Sequence, residues 1–449
     1  MQMTDLNFIF RFLPPMLAVY YLTPHRFRMF VLLIGSVFFY AFSDFKFLAL
    51  ILFAVIVNGL LTEGCFRKEK SFLAVAVVFN ALLLITFKVL GMRFGAALFP
   101  LGISFYTFKM ISYQADLFRS DSDKRPHMVQ TAAYFLFFPQ VAQGPIMRYS
   151  EMLECRAIRR MEFTEILERI EDGLKFFVAG LFLKVMVADR LSMCFGEIGR
   201  IGYESISTPL AWIGAATYSL NLYYDFWGYS LMAAGVGVML GFSFIENFHH
   251  PYAASSVTDF YRRWHMTLGA FFRDYVYIPL GGSRQGQGAT IRNLFIVWLL
   301  TGFWHGASLN FLLWGMVLFA LIVYEKTLFQ KIPQKVRLLF GHLHVLVLIP
   351  LTWVIFALPD RGMLLSYFGR LFAVGEAPFI VNAMDYVSVL RDYWMYFALG
   401  IAFLLPAVYD TMVKYRNHKA VTALLFVLFW VCVYHVSRAS GNPFMYVNF

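Results

Sequence analysis

A strongly apolar stretch of the chain, LTGFWHGASLNFLLW, contains a histidine at position 305. On a continuous helix Thr301, His305 and Ser308 would lie on one stripe. Gly302 and Gly306 would let another group approach the imidazole closely. An ionisable side chain inside a membrane span is costly, and it indicates a functional site that faces the protein interior. The alternative is a histidine hydrogen-bonded between two helices, and the residues alone leave both open.

A second histidine, His265, lies 40 positions earlier, in a segment that interleaves arginines with aromatic residues, TDFYRRWHMTLGAFFRDYVYIP. The pattern predicts one helix that starts at Thr258 or Asp259 and ends before Pro279. Its cations and aromatic side chains favour a position at the membrane interface. Such a helix can be an anchor, or its guanidinium groups can bind an anionic ligand beside His265.

Histidines in a dry pocket suit acyl transfer, because a neutral imidazole can take a proton from a hydroxyl group at neutral pH. His305 would deprotonate an acceptor hydroxyl, which then attacks a thioester. The attack is expected to be direct, because the chain has no serine elbow of the GxSxG type. His265 would stabilise the oxyanion. Haem ligation is an alternative, but it needs two histidines at one depth, and His265 lies in a polar segment.

The elements that position these residues must be membrane helices. The 449 residues are 60% hydrophobic and only 14% charged, whereas soluble domains are about 25% charged. Apolar runs long enough to span a bilayer recur along the chain, and such runs must be helical in lipid. We predict an all-α polytopic integral membrane protein with about ten to twelve spanning or re-entrant helices. The run 129–145 is a re-entrant candidate, and interfacial helices complete the fold.

The charge and the cysteines exclude other classes. A net charge of +11 is accounted for by Lys and Arg in cytoplasmic loops and beside anionic lipids, so no nucleic-acid partner is expected. Four cysteines lack CxxC spacing, so neither a metal site nor a disulfide framework is expected. The first apolar run, residues 8–22, has no cleavage signal and is interpreted as a retained helix.

The chain is predicted to form a single integral membrane domain, residues 1–449, with its core motifs between 100 and 324. Two polar intervals, 148–175 and 246–292, interrupt the apolar runs. The first has charges at helical spacing and is typical of a solvated or interfacial helix.

The motif RRWHMTLGAFFRDYVYIPLGGSR followed by FWHGAS resembles the membrane-bound O-acyltransferase (MBOAT) family. The resemblance is closest to its bacterial branch typified by the alginate O-acetylation membrane protein, and it covers most of the chain. Other matching segments are PLGISFYTFKMISYQADLFR, FFPQVAQGPIMRYSEML, GLKFFVAGLFLKVMVADRL, YSLNLYYDFWGYSLMAAGVGVMLGF, ENFHHPYAASSVTDFYRRWH and NPFMYVNF. One departure is FWGYSLMA where the branch has FSGYSDMA, so that Leu231 stands in place of an aspartate.

The resemblance implies an intramembrane funnel with His305 as the catalytic residue and His265 as a second functional histidine. It also implies acetyl-CoA as the acyl-donor substrate, no bound cofactor, and an extracytoplasmic SGNH-hydrolase-like partner that acetylates an exported polysaccharide. The residues expected to line the donor tunnel are Trp264, Trp304, Arg262, Arg263, Arg273 and Asp225, with Arg284 as a further phosphate contact.

The sequence therefore predicts an O-acetyltransferase of a bacterial cytoplasmic membrane, which it crosses several times. Two alternatives remain. One is D-alanyl transfer from a carrier protein to teichoic acid. The other is a lipid or glycan transporter, in which His305 only lines a polar path.

Overall fold

The computed structural model describes residues 1–121, 124–155, 160–306, 308–374 and 382–438. Within these ranges all regular structure is helical, and no β-strand occurs, which confirms the predicted all-α class. The matching segment NPFMYVNF and Ala307 of FWHGAS lie outside the described residues.

Helices follow one another along the whole described chain. In the first part they are α1 (Leu13–Leu22), α2 (Arg28–Ser43), α3 (Leu48–Phe66), α4 (Lys70–Phe94), α5 (Ile103–Arg119), α6 (Met128–Leu136), α7 (Phe138–Val141) and α8 (Tyr149–Glu154). In the middle they are α9 (Phe163–Phe182), α10 (Asp189–Ile201), α11 (Thr208–Met239), α12 (Val257–Arg263), α13 (Met266–Phe272), α14 (Gly286–His305) and α15 (Leu309–Thr327). The last are α16 (Gln334–Leu343), α17 (Ile349–Ala357), α18 (Arg361–Leu371), α19 (Asp385–Leu404), α20 (Pro406–Lys414) and α21 (Lys419–Arg438). Segments of π-helix at Asn7–Phe12, Leu183–Ala188, Arg273–Tyr277 and His344–Leu348 join several of them.

Seven helical stretches of the described chain are long and apolar enough to cross a membrane, which confirms the polytopic architecture. They are His25–Ser43, Phe45–Phe66, Lys70–Phe94, Leu309–Lys331, Gln334–Ala357, Asp385–Leu404 and Lys419–Arg438. The re-entrant candidate 129–145 contains α6 and α7, with 9 and 4 residues. Both are too short for a hydrocarbon core of about 30 Å, yet they are buried. A re-entrant segment, which enters the membrane without crossing it, would be both short and buried.

The centre of the molecule is α11, whose residues are buried along nearly its whole length. It packs closely against α9 because glycines face each other at two levels. A Cβ atom added at Gly173 would collide with the carbonyl oxygen of Gly235, and one at Gly180 would collide with that of Gly228. Small residues of this kind let membrane helices approach at backbone contact.

The arginine-rich segment departs from the continuous helix that its pattern predicts. Ser256, and not Thr258 or Asp259, is the N-cap of α12, and its hydroxyl accepts a hydrogen bond from the Asp259 backbone N–H at 2.9 Å. The helix then breaks, and His265 adopts a left-handed conformation with φ of 45°.

The break has a physical cause in the segment that precedes α12. The backbone N–H of Met266 donates to the carbonyl of Asn247, and the N–H of His249 donates to the carbonyl of Arg263, each at 2.9 Å. These bonds replace the helical ones that a continuous 260–280 helix would make. As a result His265, expected in a polar and peripheral segment, is only 3% exposed.

All four cysteines, at positions 65, 155, 194 and 432, are buried thiols. None of the four forms a disulfide. No cluster of three or more metal-ligating side chains is found within the described ranges.

Candidate active site

One cavity of about 420 Å³ contains both histidines in its wall. The face of α14 that lines it runs from Thr290 through Leu294 and Thr301 to His305. Fifteen residues of helix correspond to about 22 Å, so the cavity is long and narrow. The cavity is therefore deep enough for an extended chain-like ligand whose reactive end lies at His305.

The opposite end of this cavity is cationic. Arg262, Arg273 and Lys326 belong to its wall and are all exposed. Lys326 lies at the end of α15, whereas Trp314, near the start of the same helix, contacts His305. Lys326 is thus separated from His305 by most of the length of α15. We call Arg262, Arg273 and Lys326 the cationic mouth of the cavity.

A smaller cavity of about 290 Å³ adjoins this mouth. It shares Thr258, Arg262 and Lys326 with the larger one and adds Arg337. The wall of the smaller cavity also contains the buried carboxylate of Glu325. This carboxylate accepts hydrogen bonds from the backbone N–H groups of Val257 and Thr258 at 2.6 and 2.8 Å. Glu325 therefore caps α12 and fixes the helix that carries Arg262.

His305 is held among aromatic rings at the C-terminus of α14. The rings of Trp314 and Phe356 meet the imidazole edge to face at centroid distances of 5.0 and 5.1 Å. The side chain is 4% exposed. Such an enclosure excludes bulk water and orients the ring.

His265 is fixed by the side chain of Asn247. The Asn247 Oδ1 atom already accepts from the Thr267 N–H at 3.3 Å and from the Thr267 hydroxyl at 2.9 Å, while its Nδ2 donates to Ser230 at 3.0 Å. The His265 Nδ1 atom lies 3.1 Å from the same Oδ1. Since Oδ1 is an acceptor, Nδ1 must carry the proton.

This tautomer leaves His265 Nε2 with a lone pair. The atom is buried and has no hydrogen-bond partner among the described residues. A neutral His265 therefore presents an acceptor, and it cannot donate a hydrogen bond to an oxyanion from Nε2. The expected oxyanion role would require a second proton on the ring.

The glycines beside His305 serve helix packing and not access. A Cβ atom at Gly302 would lie 2.7 Å from the carbonyl oxygen of Phe311, and one at Gly306 would lie 2.5 Å from the Phe311 ring. The expected stripe also ends early, because α14 stops at His305 and Ser308 is the N-cap of α15. What approaches the imidazole closely is thus the next helix.

The other residues expected in the tunnel are only partly brought together. Trp264, Arg262 and Arg273 line the cavity. Trp304 lies behind its wall, and its ring centroid is 6.1 Å from that of His265 and 4.6 Å from that of His305.

Three of the expected residues lie off the wall. Asp225 is buried in an ion pair with Lys184 at 2.6 Å. Arg263 pairs with Asp259 at 3.1 Å, and Arg284 is exposed in the loop before α14. Arg263 is the last residue of α12, and its position in the donor tunnel stays a prediction.

The sequence comparisons decide the family. A profile of the membrane-bound O-acyltransferase family matches residues 32–358, which include both histidines and the whole cavity wall. The chain belongs to the membrane-bound O-acyltransferase family. It is accordingly an O-acyltransferase.

Relatives of this acyltransferase have several described activities. A probable alginate O-acetylase of Pseudomonas putida is 32% identical over 98% of this chain and 99% of its own. A peptidoglycan O-acetyltransferase of Helicobacter pylori is 32% identical over 69% of this chain and 67% of its own. A teichoic acid D-alanyltransferase of Bacillus subtilis is 28% identical over 53% of this chain and 61% of its own.

Sequence reasoning missed three residues of the acyltransferase site, namely Asn247, Glu325 and Lys88. Lys88 is 5% exposed, and its Nζ atom lies 5.9 Å from the ring centroid of Trp304. A signal was present for Lys88, since a lone lysine in the apolar run of α4 is an ionisable group within a span. Asn247 and Glu325 gave none, because their roles depend on contacts with residues 18 and more positions away.

Proposed function

We propose that this acyltransferase moves an acetyl group from cytoplasmic acetyl-CoA across a bacterial cytoplasmic membrane toward an exported polysaccharide. The immediate acceptor is proposed to be an SGNH-hydrolase-like extracytoplasmic partner. The observation that carries the proposal is one narrow cavity that joins a cationic mouth to His305 and His265. Coenzyme A has the matching shape, with phosphates at one end and a thioester at the end of a long arm.

The relatives support acetyl transfer over the D-alanyl alternative. The probable alginate O-acetylase aligns with nearly the whole chain, whereas the teichoic acid D-alanyltransferase aligns with about half of it at lower identity. Polysaccharide O-acetylation is also the activity in the name of the peptidoglycan relative. A transporter would not need an enclosed histidine at the end of the cavity.

The donor would lie along α14 with its phosphates at Arg262, Arg273 and Lys326. Guanidinium groups bind phosphate oxygens through a planar fork. The pantetheine arm contains amide N–H groups, and the free Nε2 of His265 can accept a hydrogen bond from one of them. His265 would thus orient the thioester next to His305.

The chemical step would then need only His305. The imidazole takes the proton of the acceptor hydroxyl. At the same time the hydroxyl oxygen forms a bond to the carbonyl carbon of the acetyl group. The tetrahedral intermediate breaks its C–S bond, and the imidazolium returns the proton to the departing thiolate. The products are an acetyl ester and free CoA, and the aromatic enclosure keeps water from competing for the acyl group.

The test is release of free CoA from acetyl-CoA by the purified protein together with its SGNH-type partner. The variant H305A should lower the rate by about 10²- to 10⁴-fold, which is the usual contribution of a proton-transfer group. H249A is the matched control, because the His249 side chain is 53% exposed and lies outside the cavity wall. Equal turnover by wild type and H305A would contradict the proposal. Turnover with a D-alanyl carrier protein, but not with acetyl-CoA, would favour the alternative donor.

A further inference from the structure

A buried cation lies beside the catalytic histidine and has no role in the mechanism above. Lys88 of α4 is 95% buried, since only 5% of it is exposed. Its Nζ atom lies 4.7 Å from the ring centroid of Phe99 and 5.9 Å from that of Trp304, the neighbour of His305 in the chain. Among the described residues its Nζ atom contacts these two aromatic rings and neither a carboxylate nor a hydrogen-bond acceptor. An unpaired ammonium group in this position is costly.

A structural explanation does not account for it. A lysine near the end of a spanning helix usually extends toward water, and Lys88 is six residues before the end of α4. Here the side chain points inward, onto Trp304, while most of α4 is exposed on its other faces. A packing role alone would be filled better by methionine or leucine, which carry no charge.

Lys88 lies on the side of the molecule opposite the donor mouth. At the mouth, Asp274 contacts Arg148 and also, through its backbone carbonyl, Arg119 at the end of α5. Two residues farther along, Asp121 pairs with Lys68 just before α4 begins. The start of α4 and the mouth therefore share one side.

The length of α4 then gives the depth of Lys88. Lys88 is 18 residues into that helix, or about 27 Å from its start. It is also absent from the wall of the donor cavity. A ligand that meets Lys88 must therefore come from the other side, where the loop at Phe99 lies.

We propose that Lys88 binds an anionic group, a carboxylate or a phosphate, on the acyl acceptor as its hydroxyl reaches His305. The inference rests on the proposed acetyl transfer and adds the chemical class of the acceptor and the side from which it arrives. The anionic group would supply the ion-pair partner that the described residues do not give the Lys88 ammonium group. The acceptor's negative charge gains a compensating cation at a depth where water is scarce.

The experiment compares two small acceptors that differ only at the anionic group, methyl β-D-glucuronoside and methyl β-D-glucoside. Acetyl-CoA is the donor, and CoA release and the acetylated sugar are both measured with the full-length protein. Wild type should prefer the glucuronoside. K88M should lower kcat/KM for the glucuronoside about 10- to 100-fold, as expected for a lost charge-assisted hydrogen bond, and leave the glucoside unchanged. K88R should retain the preference.

The control variant is K46M, which removes an exposed lysine that donates to the carbonyl of Ala97 on the same side. It should not change the ratio. Equal loss with both sugars in K88M would indicate a general role in folding or in the transition state and would overturn the proposal, as would a wild type without preference. The sugars here replace the SGNH-type partner as acceptors, and the same preparation is assayed with that partner in parallel. CoA release with the partner, but none above H305A with either sugar, would overturn the binding of an anionic acceptor at Lys88. No release in either assay would contradict the proposed acetyl transfer itself.

Discussion

At the scale of single residues, the site depends on one amide side chain. Asn247 holds the Nδ1 proton of His265 and also binds the backbone and hydroxyl of Thr267. It thereby sets which nitrogen of His265 faces the cavity. The tautomer of a functional histidine is commonly fixed by the hydrogen bond at its other nitrogen.

The variant N247A should therefore impair activity more than it impairs folding. It leaves the partly buried Thr267 N–H and the buried His265 Nδ1–H without the Asn247 acceptor, at a cost of about 1–3 kcal/mol. We expect a fall in CoA release of about tenfold or more, because His265 can exchange tautomers. The pH profile should also change, because the lost hydrogen bond is stronger to a protonated than to a neutral imidazole. S230A is the control, since the Ser230 hydroxyl accepts from Asn247 Nδ2 and has no direct contact with His265 or Thr267 among the described hydrogen bonds. If S230A and N247A lose activity equally and keep the same pH profile, Asn247 is only structural.

At the scale of elements, His305 is positioned by the close contact of α14 with α15. A Cβ atom at Gly315 would lie 2.6 Å from the carbonyl of Trp298, and the contact at Gly302 is equally short. The two helices thus approach at backbone distance just before His305. Because interiors resist added volume, this contact determines where the imidazole lies.

The variant G302A should displace His305 and lower both stability and activity. An added methyl group in a packed core costs about 1–3 kcal/mol. G288A on the same helix is the matched control, because among the described residues no atom outside the adjoining backbone of α14 lies within 4 Å of the added carbon. Thermal unfolding in detergent and CoA release would be measured for both. A G302A protein as stable and active as G288A would show that the helices can separate freely.

A second element-scale prediction concerns the segment Arg273–Tyr277, which carries a cation of the mouth. Burial raises the pKa of Asp274, but hydrogen bonds and charges from Arg273 and Arg148 more than offset this, so that its pKa lies below the usual range. The stabilisation is therefore fully present above the ordinary Asp pKa of about 3.9, and it is lost as pH falls through the lower folded pKa.

D274N should consequently lower the melting temperature at neutral pH, and its difference from wild type should shrink below about pH 4. D121N is the control, because Asp121 is exposed and its pair with Lys68 is expected to contribute little. Melting curves from pH 3 to pH 8 give the comparison. A difference that is constant down to pH 3 would contradict the role of the ion pair.

At the scale of the whole molecule, the net charge is +11, and three exposed cations lie at the mouth of the cavity where the proposed donor would enter. Exposed cations at the mouth would attract an anionic donor electrostatically. Salt screens this attraction, and the screening length is about 8 Å at 0.15 M ionic strength. The same charge could serve anionic lipids, so the donor itself must be varied to distinguish the two.

The KM for acetyl-CoA should therefore rise with NaCl concentration, and the double variant R262Q/K326Q should weaken that dependence. S-acetylpantetheine, which has no phosphates, should show almost none. R263Q is the matched control, since Arg263 pairs with Asp259 and lies off the cavity wall. The same salt dependence for both donors would mean that the cations do not bind the donor phosphates.

Sequence reasoning reached the helical membrane class and the pairing of His265 with His305 in one cavity. It failed where a local pattern is overridden by distant contacts. The helix at 260–280 is broken by hydrogen bonds from the segment at Asn247, and Asp225 is buried against Lys184 from another helix. Periodicity describes neighbours along the chain, so neither outcome could be read from it.

The four buried thiols have a practical consequence for labelling. Maleimides and spin labels react with exposed thiolates, and a buried apolar cysteine is inert toward them. The four natural cysteines are therefore expected not to react with these reagents. Single-cysteine variants can be made without replacing them. A cysteine placed at exposed Ser283, by the donor mouth, and another at exposed Lys46, on the opposite side, would report directly which face of a sealed vesicle each one occupies.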